Sequence, residues 1–324
     1  MKACAPGKLV LSGAYSVLEG APALVIAVDR YAMAEVGRAP SWVSEEVAEA
    51  IRQGLLSQAP WVDATALRVP VGEGSRKLGL GSSAAILVAS IGADRLARGE
   101  DEDGLGRRVL AVALDVHRAA QGGGSGIDVA AACLGGVLRC QLGIPGAAVG
   151  GEPRLGTAEP GEGSSGGALE TASHPLPGGL SIEAYRCPAA AATAPMVAAV
   201  ARLAAEQGPT YRALMADLGR SARQAAGADA PGALVAALAG QIDGLVALGQ
   251  AAEVPIVTDA MARLDALARQ DGACFAPSGA GGGDVALWVG SQPSSARFRA
   301  EAEHLGLALL PLGLGARGVH RAAL

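Results

Sequence analysis

The run Leu78-Gly79-Leu80-Gly81-Ser82-Ser83-Ala84-Ala85, followed at once by Ile86-Leu87-Val88-Ala89, constrains this chain more than any other stretch. Small residues turn sharply there and then open an apolar helix. A helix start aims unpaired backbone N–H groups and the positive end of its dipole at one point. Ser82 and Ser83 add two hydroxyls, and phosphate is the natural occupant of such a point. Without side chains at Gly79 and Gly81, a polyphosphate could approach the backbone closely. A glycine turn that merely starts a buried helix has the same short signature, so on these residues alone both readings stand.

The rest of the composition narrows the choice. At 324 residues the chain is long enough for two domains, because single cores rarely grow beyond about 250–300 residues. Half of the residues are hydrophobic but only 3% are aromatic, so Ala, Val and Leu must fill the interior and base-stacking platforms are not expected. A net charge of −5 without a basic run argues against nucleic acid and anionic membranes as partners. The five cysteines, Cys4, Cys133, Cys140, Cys187 and Cys274, form no Cys-x-x-Cys pair and read as reduced, buried thiols. The start Met1-Lys2-Ala3-Cys4-Ala5-Pro6 lacks the apolar core of a signal peptide. Gly, Pro or charge interrupts the apolar stretches before they reach the ~20 residues of a membrane span. A soluble, cytoplasmic protein is expected.

Hydrophobic spacing then places elements along the chain. Strands are predicted over Ala3–Leu11, Ala23–Val28, Ala66–Val71, Val137–Leu142, Ala273–Ala276, Val285–Val289 and Leu307–Leu310. Helices are predicted over Ser44–Ser57, from the central loop to about Arg98, and over about Asp103–Ala120, Pro195–Gln207, Tyr211–Ala225, Leu234–Leu248, Asp259–Gln270 and Ser294–Leu305. Thr258 reads as an N-cap and Gly272 as a C-cap. Gly143 to Gly179, rich in Gly, Pro, Ser and Glu, reads as a long flexible excursion near a domain boundary.

Two further glycine stretches accompany the first. Lys8 follows Pro6-Gly7 and, with Lys2 and Lys77, is one of the only three lysines in the chain. A surface position would account for it equally well. Gln121-Gly122-Gly123-Gly124-Ser125-Gly126-Ile127-Asp128 sets a carboxylate at another helix start, where Asp128 is either a charge favoured by the dipole or a catalytic group. Pro277-Ser278-Gly279-Ala280-Gly281-Gly282-Gly283-Asp284, between two strands, holds more glycine than a hairpin needs and favours close approach of a ligand.

Taken in order, these motifs resemble the superfamily of galactokinase, homoserine kinase, mevalonate kinase and phosphomevalonate kinase (GHMP). Ala5–Glu19 matches its first motif, Gly79–Ala85 its second and Ser278–Asp284 its third, and the likeness spans nearly the whole chain. Gly13-Ala14-Tyr15-Ser16-Val17-Leu18, Val28-Asp29-Arg30-Tyr31 and Gly124-Ser125-Gly126-Ile127-Asp128 look most like the phosphomevalonate kinase branch. Mevalonate kinases carry a metal-binding Glu eleven residues before the Asp, and His117 stands there. Ala14, Ala192 and Ala276 depart from the common pattern.

The resemblance implies an α+β, two-domain fold: residues 1–180 as an N-terminal α/β domain of the ribosomal-protein-S5-domain-2 type, and residues 181–324 as a ferredoxin-like α+β domain. It implies transfer of the γ-phosphoryl group of ATP, with Mg²⁺, to a small phosphorylated substrate, 5-phosphomevalonate. Mevalonate kinase or another small-molecule kinase is the alternative, and a catalytically silent ligand-binding relative a further one. Lys8 and Asp128 would carry the chemistry. Gly79, Leu80, Gly81, Ser82, Ser83, Ala84, Gly279, Ala280, Gly281 and Gly282 would hold the nucleotide, and Ser125, Gly126, Thr193 and Ser278 the acceptor. Ser83 is the first choice for a hydroxyl near the metal, with Ser82 in reserve. His117 is assigned to metal, to phosphate or only to its helix. A monomer or a homodimer is expected.

Overall fold

The computed structural model describes residues 1–71, 74–143, 167–189 and 193–322. Strand β1 (Lys2–Ser12) pairs antiparallel with β2 (Ala23–Glu35), and a short 3₁₀ turn at Ser16–Glu19 lies between them. The register slips between Pro6 and Gly7, one residue before Lys8. Pro6 cannot donate to the ladder, and such bulges re-aim the side chains that follow. Helix α1 (Glu45–Arg52) starts where Ser44 accepts a hydrogen bond from Val47 N at 3.2 Å. It ends well before the predicted Ser57, since Gly54 turns the chain at φ +73°. Strand β3 (Trp61–Asp63) lies on β2. A 3₁₀ turn over Thr65–Leu67 replaces the start of the predicted Ala66–Val71 strand, so β4 (Arg68–Val71) is shorter and pairs with β5 (Gly74–Lys77).

Helix α2 (Ser82–Ala97) follows the central glycine loop, and nearly all its side chains are buried. It packs on β1 and β2 with α3 (Leu105–Gln121) and α4 (Ile127–Leu134) around it. Its all-round apolar sequence is explained by neighbours on every side. Strand β6 (Val137–Leu142) pairs with β2 and with β7 (Leu169–Ser173). The predicted excursion over Gly143–Gly179 therefore contains a strand; its residues 144–166 lie outside the described residues.

The second half is built on β8 (Ser181–Arg186) and four helices, α5 (Thr193–Glu206), α6 (Gly208–Ala226), α7 (Pro231–Ala251) and α8 (Asp259–Gln270). Strands β9 (Cys274–Pro277) and β10 (Val285–Gly290), helix α9 (Ala296–His304) and β11 (Ala308–Leu310) complete it. The sheet runs β11-β8-β10-β9, all antiparallel. Thr258 caps α8 by accepting from Met261 N, as its position predicts. Helix α7 is long and apolar enough to cross a membrane, contrary to the expectation that every apolar stretch is interrupted too early. Here it packs on α6, β9 and β10. After β11 the chain returns to the first sheet, where β12 (His320–Arg321) pairs with β1. A division at residue 180 thus leaves the last residues on the sheet of the first half.

One hydrophobic core joins the halves, running from Leu9, Ile26 and Leu87 to Leu238, Val285 and Leu287. Four cysteines are buried and Cys4 partly so, all as free thiols. Four aromatic side chains, Tyr185, Phe275, Trp288 and Phe298, gather at the second sheet. There the Phe298 ring meets Trp288 at 4.6 Å and Phe275 at 5.1 Å between centroids, edge to face. Phe298→Ala should cost about 3–5 kcal/mol in urea unfolding; a loss below about 1 kcal/mol would show that this cluster does not anchor the second half.

Candidate active site

Lys8 sits where three glycine stretches meet. Its backbone N–H donates to the Leu80 carbonyl at 2.9 Å, and its Nζ donates to the Gly79 carbonyl at 3.2 Å. Gly7 makes this approach possible, because a Cβ there would lie 2.9 Å from the Leu80 oxygen and 2.8 Å from Leu67 Cδ2. A Cβ on Gly81 would stand 3.0 Å from Lys8 Cγ and 3.6 Å from Asp128 Cβ. One on Gly279 would come within 3.9 Å of Lys8 Nζ. Burial pushes the Lys8 amine below its ordinary pKa, and the Asp128 and Asp284 charges oppose that shift.

The central loop presents an open helix end. Gly79 and Gly81 both adopt φ +73°, and Gly81 is the N-cap of α2 without a side-chain cap. No acidic residue occupies the first turn. The first backbone N–H groups of α2 therefore lack the usual internal answer to a helix start. Ser82 is buried and Ser83 half-buried, while Leu80 and Ala84 face the core. Glu46 of α1, itself 3% exposed, accepts from Gln121 Nε2 at 2.6 Å. Burial pushes its carboxyl up, but hydrogen bonds from its own N–H, Ser83, Ser44 and Gln121 outweigh this and hold it below the usual carboxylate value.

Asp128 lies in the first turn of α4 and accepts from Val129 N at 2.9 Å. Its other oxygen is 3.6 Å from His117 Nε2. His117 is buried, and its Nδ1 has no hydrogen-bond partner among the described residues. Gly126 is needed for packing: a Cβ there would stand 2.4 Å from Leu114 Cδ2. Ser125, half-buried on the same turn, makes no hydrogen bond among the described residues.

The third loop is held from both halves. Ser278 Oγ accepts from Val10 N at 2.9 Å, and the Ala280 carbonyl accepts from Tyr15 Oη at 2.7 Å. Tyr15 adopts φ 61°, ψ −53°, a strained backbone for a residue with a side chain, and burial raises its hydroxyl pKa to about 12. Gly281 and Gly282 are excluded from carrying side chains by the chain itself: a Cβ would meet the Ile256 oxygen at 2.1 Å or Met196 Cε at 2.3 Å. Gly279 of the third loop faces Lys8. Thr193 is exposed at the start of α5, three residues before Met196; Ala191 and Ala192 lie outside the described residues.

Sequence reasoning missed four contributors. Asp284 abuts the central loop, its Cβ 2.5 Å from where a Gly79 Cβ would be. Gln241 of α7 accepts from Ser12 Oγ at 2.8 Å and Gly13 N at 3.3 Å, steadying the turn that carries Tyr15. The roles of Tyr15 and Glu46 were likewise hidden. In the sequence Tyr15 is one residue of a motif, and Glu46 reads as an ordinary first-turn acid.

The sequence matches no protein-family model, and no curated protein matches it. Solved structures do. A Lin0012 protein from Listeria innocua superposes with a TM-score of 0.77 at 20% identity, over 99% of this chain and 100% of that one. Phosphomevalonate kinase of Streptococcus pneumoniae, in complex with phosphomevalonate and AMPPNP, gives 0.68 at 18% identity over 97% and 99%. Mevalonate kinase of Methanococcus jannaschii gives 0.61 at 13% over 100% and 98%. The chain has the GHMP kinase fold.

Within this GHMP kinase fold, no group of three or more His, Cys, Asp and Glu side chains is gathered as a metal cage among the described residues. Mg²⁺ is commonly held by one or two carboxylates with substrate phosphates and water. The hard oxygens of Ser83 and Asp128, flanking Gly81, suit an ion that arrives with phosphates. The imidazole of His117 does not.

Crowding at Gly79 can be separated from its backbone conformation. Gly37 shares a positive φ of +88° but has nothing within 4 Å of its would-be Cβ. Gly37→Ala should cost only the left-handed strain of about 1–2 kcal/mol, and Gly79→Ala a further 1–3 kcal/mol or so from its collision with Asp284. Equal losses in urea unfolding would contradict the close apposition of the two loops.

Proposed function

We propose that this protein is an ATP-dependent kinase of the GHMP superfamily whose acceptor is the phosphate of 5-phosphomevalonate. The observation that carries the reading is the amine of Lys8, bracketed by the Gly79 carbonyl, Gly81 and Gly279, with Asp128 and Asp284 beside it. The likeness to a phosphomevalonate kinase holding phosphomevalonate and AMPPNP supports the choice of substrate. So do Tyr15 and the Ser125–Asp128 turn, which resemble that branch. Mevalonate kinase is the second reading, favoured by the likeness to solved mevalonate kinases.

Phosphoryl transfer asks for positioning and for stabilisation of spread negative charge. The open N-terminus of α2 would receive the nucleotide phosphates through backbone N–H groups. Lys8, tied to the loop by its Gly79 bond, would offset charge on the transferring group. The acceptor phosphate is already largely anionic near pH 7, its second pKa being about 6. Asp128 therefore has no proton to remove and would orient Lys8 or the metal instead. Mg²⁺, when bound, supplies charge neutralisation between phosphate oxygens, with Ser83 and Asp128 as the protein groups placed to hold it.

Purified protein given Mg-ATP with phosphomevalonate, mevalonate or unrelated alcohols should form ADP with phosphomevalonate above all; preference for mevalonate would select the second reading, and no substrate-dependent ADP would reject both. Lys8→Met and Asp128→Asn should each lower kcat by about 10²–10³-fold, the scale of losing one preorganised charge-stabilising group. Near-normal turnover in both would overturn their roles.

A further inference from the structure

We propose that Arg76 is a positioning residue: by clamping the second half of the chain to the strand that leads into the central loop, it holds Asp284 against Gly79 and so fixes the carbonyl to which the Lys8 amine is tied. The inference rests on the kinase reading above and adds to it a residue that acts through others.

Arg76 lies on β5, three residues before Gly79. Its guanidinium fork reaches across to the second half. Nη1 donates to the Pro188 carbonyl at 2.6 Å and Nη2 to the Cys187 carbonyl at 2.8 Å. A planar fork suits two neighbouring oxygens, a geometry that a lysine ammonium does not reproduce. The third donor, Nε, is buried and has no partner among the described residues, so the fork alone holds this side chain.

The segment it grips is the one that carries the end of the third loop. Cys187 N–H donates to the Asp284 carbonyl at 2.8 Å, and Asp284 N–H donates to the Ala189 carbonyl at 3.2 Å. Asp284 keeps φ +56°, a left-handed backbone that a side chain disfavours and that persists only where the surroundings impose it. Its side chain is thereby carried to the central loop: a Cβ on Gly79 would lie 2.5 Å from Asp284 Cβ and 2.7 Å from its Oδ2. The Gly79 carbonyl in turn accepts from Lys8 Nζ at 3.2 Å. These contacts close a ring that runs from Arg76 through Cys187, Asp284 and Gly79 and back along the chain to Arg76. Opening the fork frees Asp284 and Gly79 to shift against each other, and the Lys8 amine follows the carbonyl. Helix α2 is anchored independently, by side chains buried nearly all round. The fork therefore acts on the transfer step more than on the seat of the nucleotide.

The chain has only three lysines, Lys2, Lys8 and Lys77. Protein labelled with ¹³C at lysine Cε therefore gives three NMR signals, and Lys8→Met identifies that of Lys8. In Arg76→Met and Arg76→Lys, with urea unfolding to confirm the fold, the Lys8 signal should move while that of Lys2, at the start of β1, stays. With Mg-ATP and the preferred acceptor, Arg76→Met should lower kcat by about 10–10²-fold, the scale of a misplaced catalytic group. Its KM for Mg-ATP should stay within about threefold of wild type. Added to Lys8→Met, the same change should lower kcat by no more than about twofold, because a residue acting through Lys8 then has nothing further to lose. Arg76→Lys keeps the charge without the fork; it should also lose turnover, and it gives the answer if Arg76→Met does not fold. An unmoved Lys8 signal in the folded variants overturns the proposal. So do losses that multiply in the double variant, and so does a raised KM with kcat unchanged, which would place Arg76 in nucleotide binding. Wild-type turnover in Arg76→Lys overturns it as well, by making charge rather than the fork the property that matters. If the wild type forms no ADP with any acceptor, the kinase reading fails, and the Lys8 signal still decides whether the fork positions the amine.

Discussion

The hydrogen bonds from Lys8 to the carbonyls of Leu80 and Gly79 are the contact on which the rest of the site depends. They fasten the central loop to β1 before α2 begins, and so fix where the open end of that helix points. Two features of the chain permit them. The bulge beside Pro6 shifts the ladder just ahead of Lys8, and Gly7 leaves room for the Leu80 oxygen. A side chain at residue 7 would push the loop away and carry the helix end with it.

The glycine-rich stretches divide by what crowds them. Gly79 and Gly81 are pressed by Asp284, Lys8 and Asp128, groups of the site itself. Gly281 and Gly282 are pressed by Ile256 and Met196, so their missing side chains let the third loop seat on α5 and on the connection before α8. The seat is completed from the first half by Tyr15 and by the Val10 N–H that Ser278 accepts. Glycine content alone cannot separate these uses, since both need the same absent Cβ.

Much of this architecture was legible in the residues. Ser44 and Thr258 begin their helices as caps should, the apolar α2 is enclosed as its sequence demands, and the three glycine motifs converge. What was not legible depends on partners distant in sequence. Strand β8 interrupts its apolar pattern with Glu183, which serves Arg299 of α9 and the Ser294 N–H. Strand β12 is two residues long and exists only because β1 offers an edge. Gln241 looks like a polar misfit in an apolar helix until the Ser12–Gly13 turn is laid against it. Glu46 looks like a dipole-favoured surface acid until α2 and α3 close over it.

In the proposed kinase, nucleotide phosphates occupy the start of α2 beside Lys8. A crystal structure with ADP bound tests it most directly. Phosphate oxygens are expected within about 3.2 Å of the backbone N–H groups of residues 82–84 and of Lys8 Nζ. Phosphates bound elsewhere on the protein, with that helix end left to solvent, would contradict it.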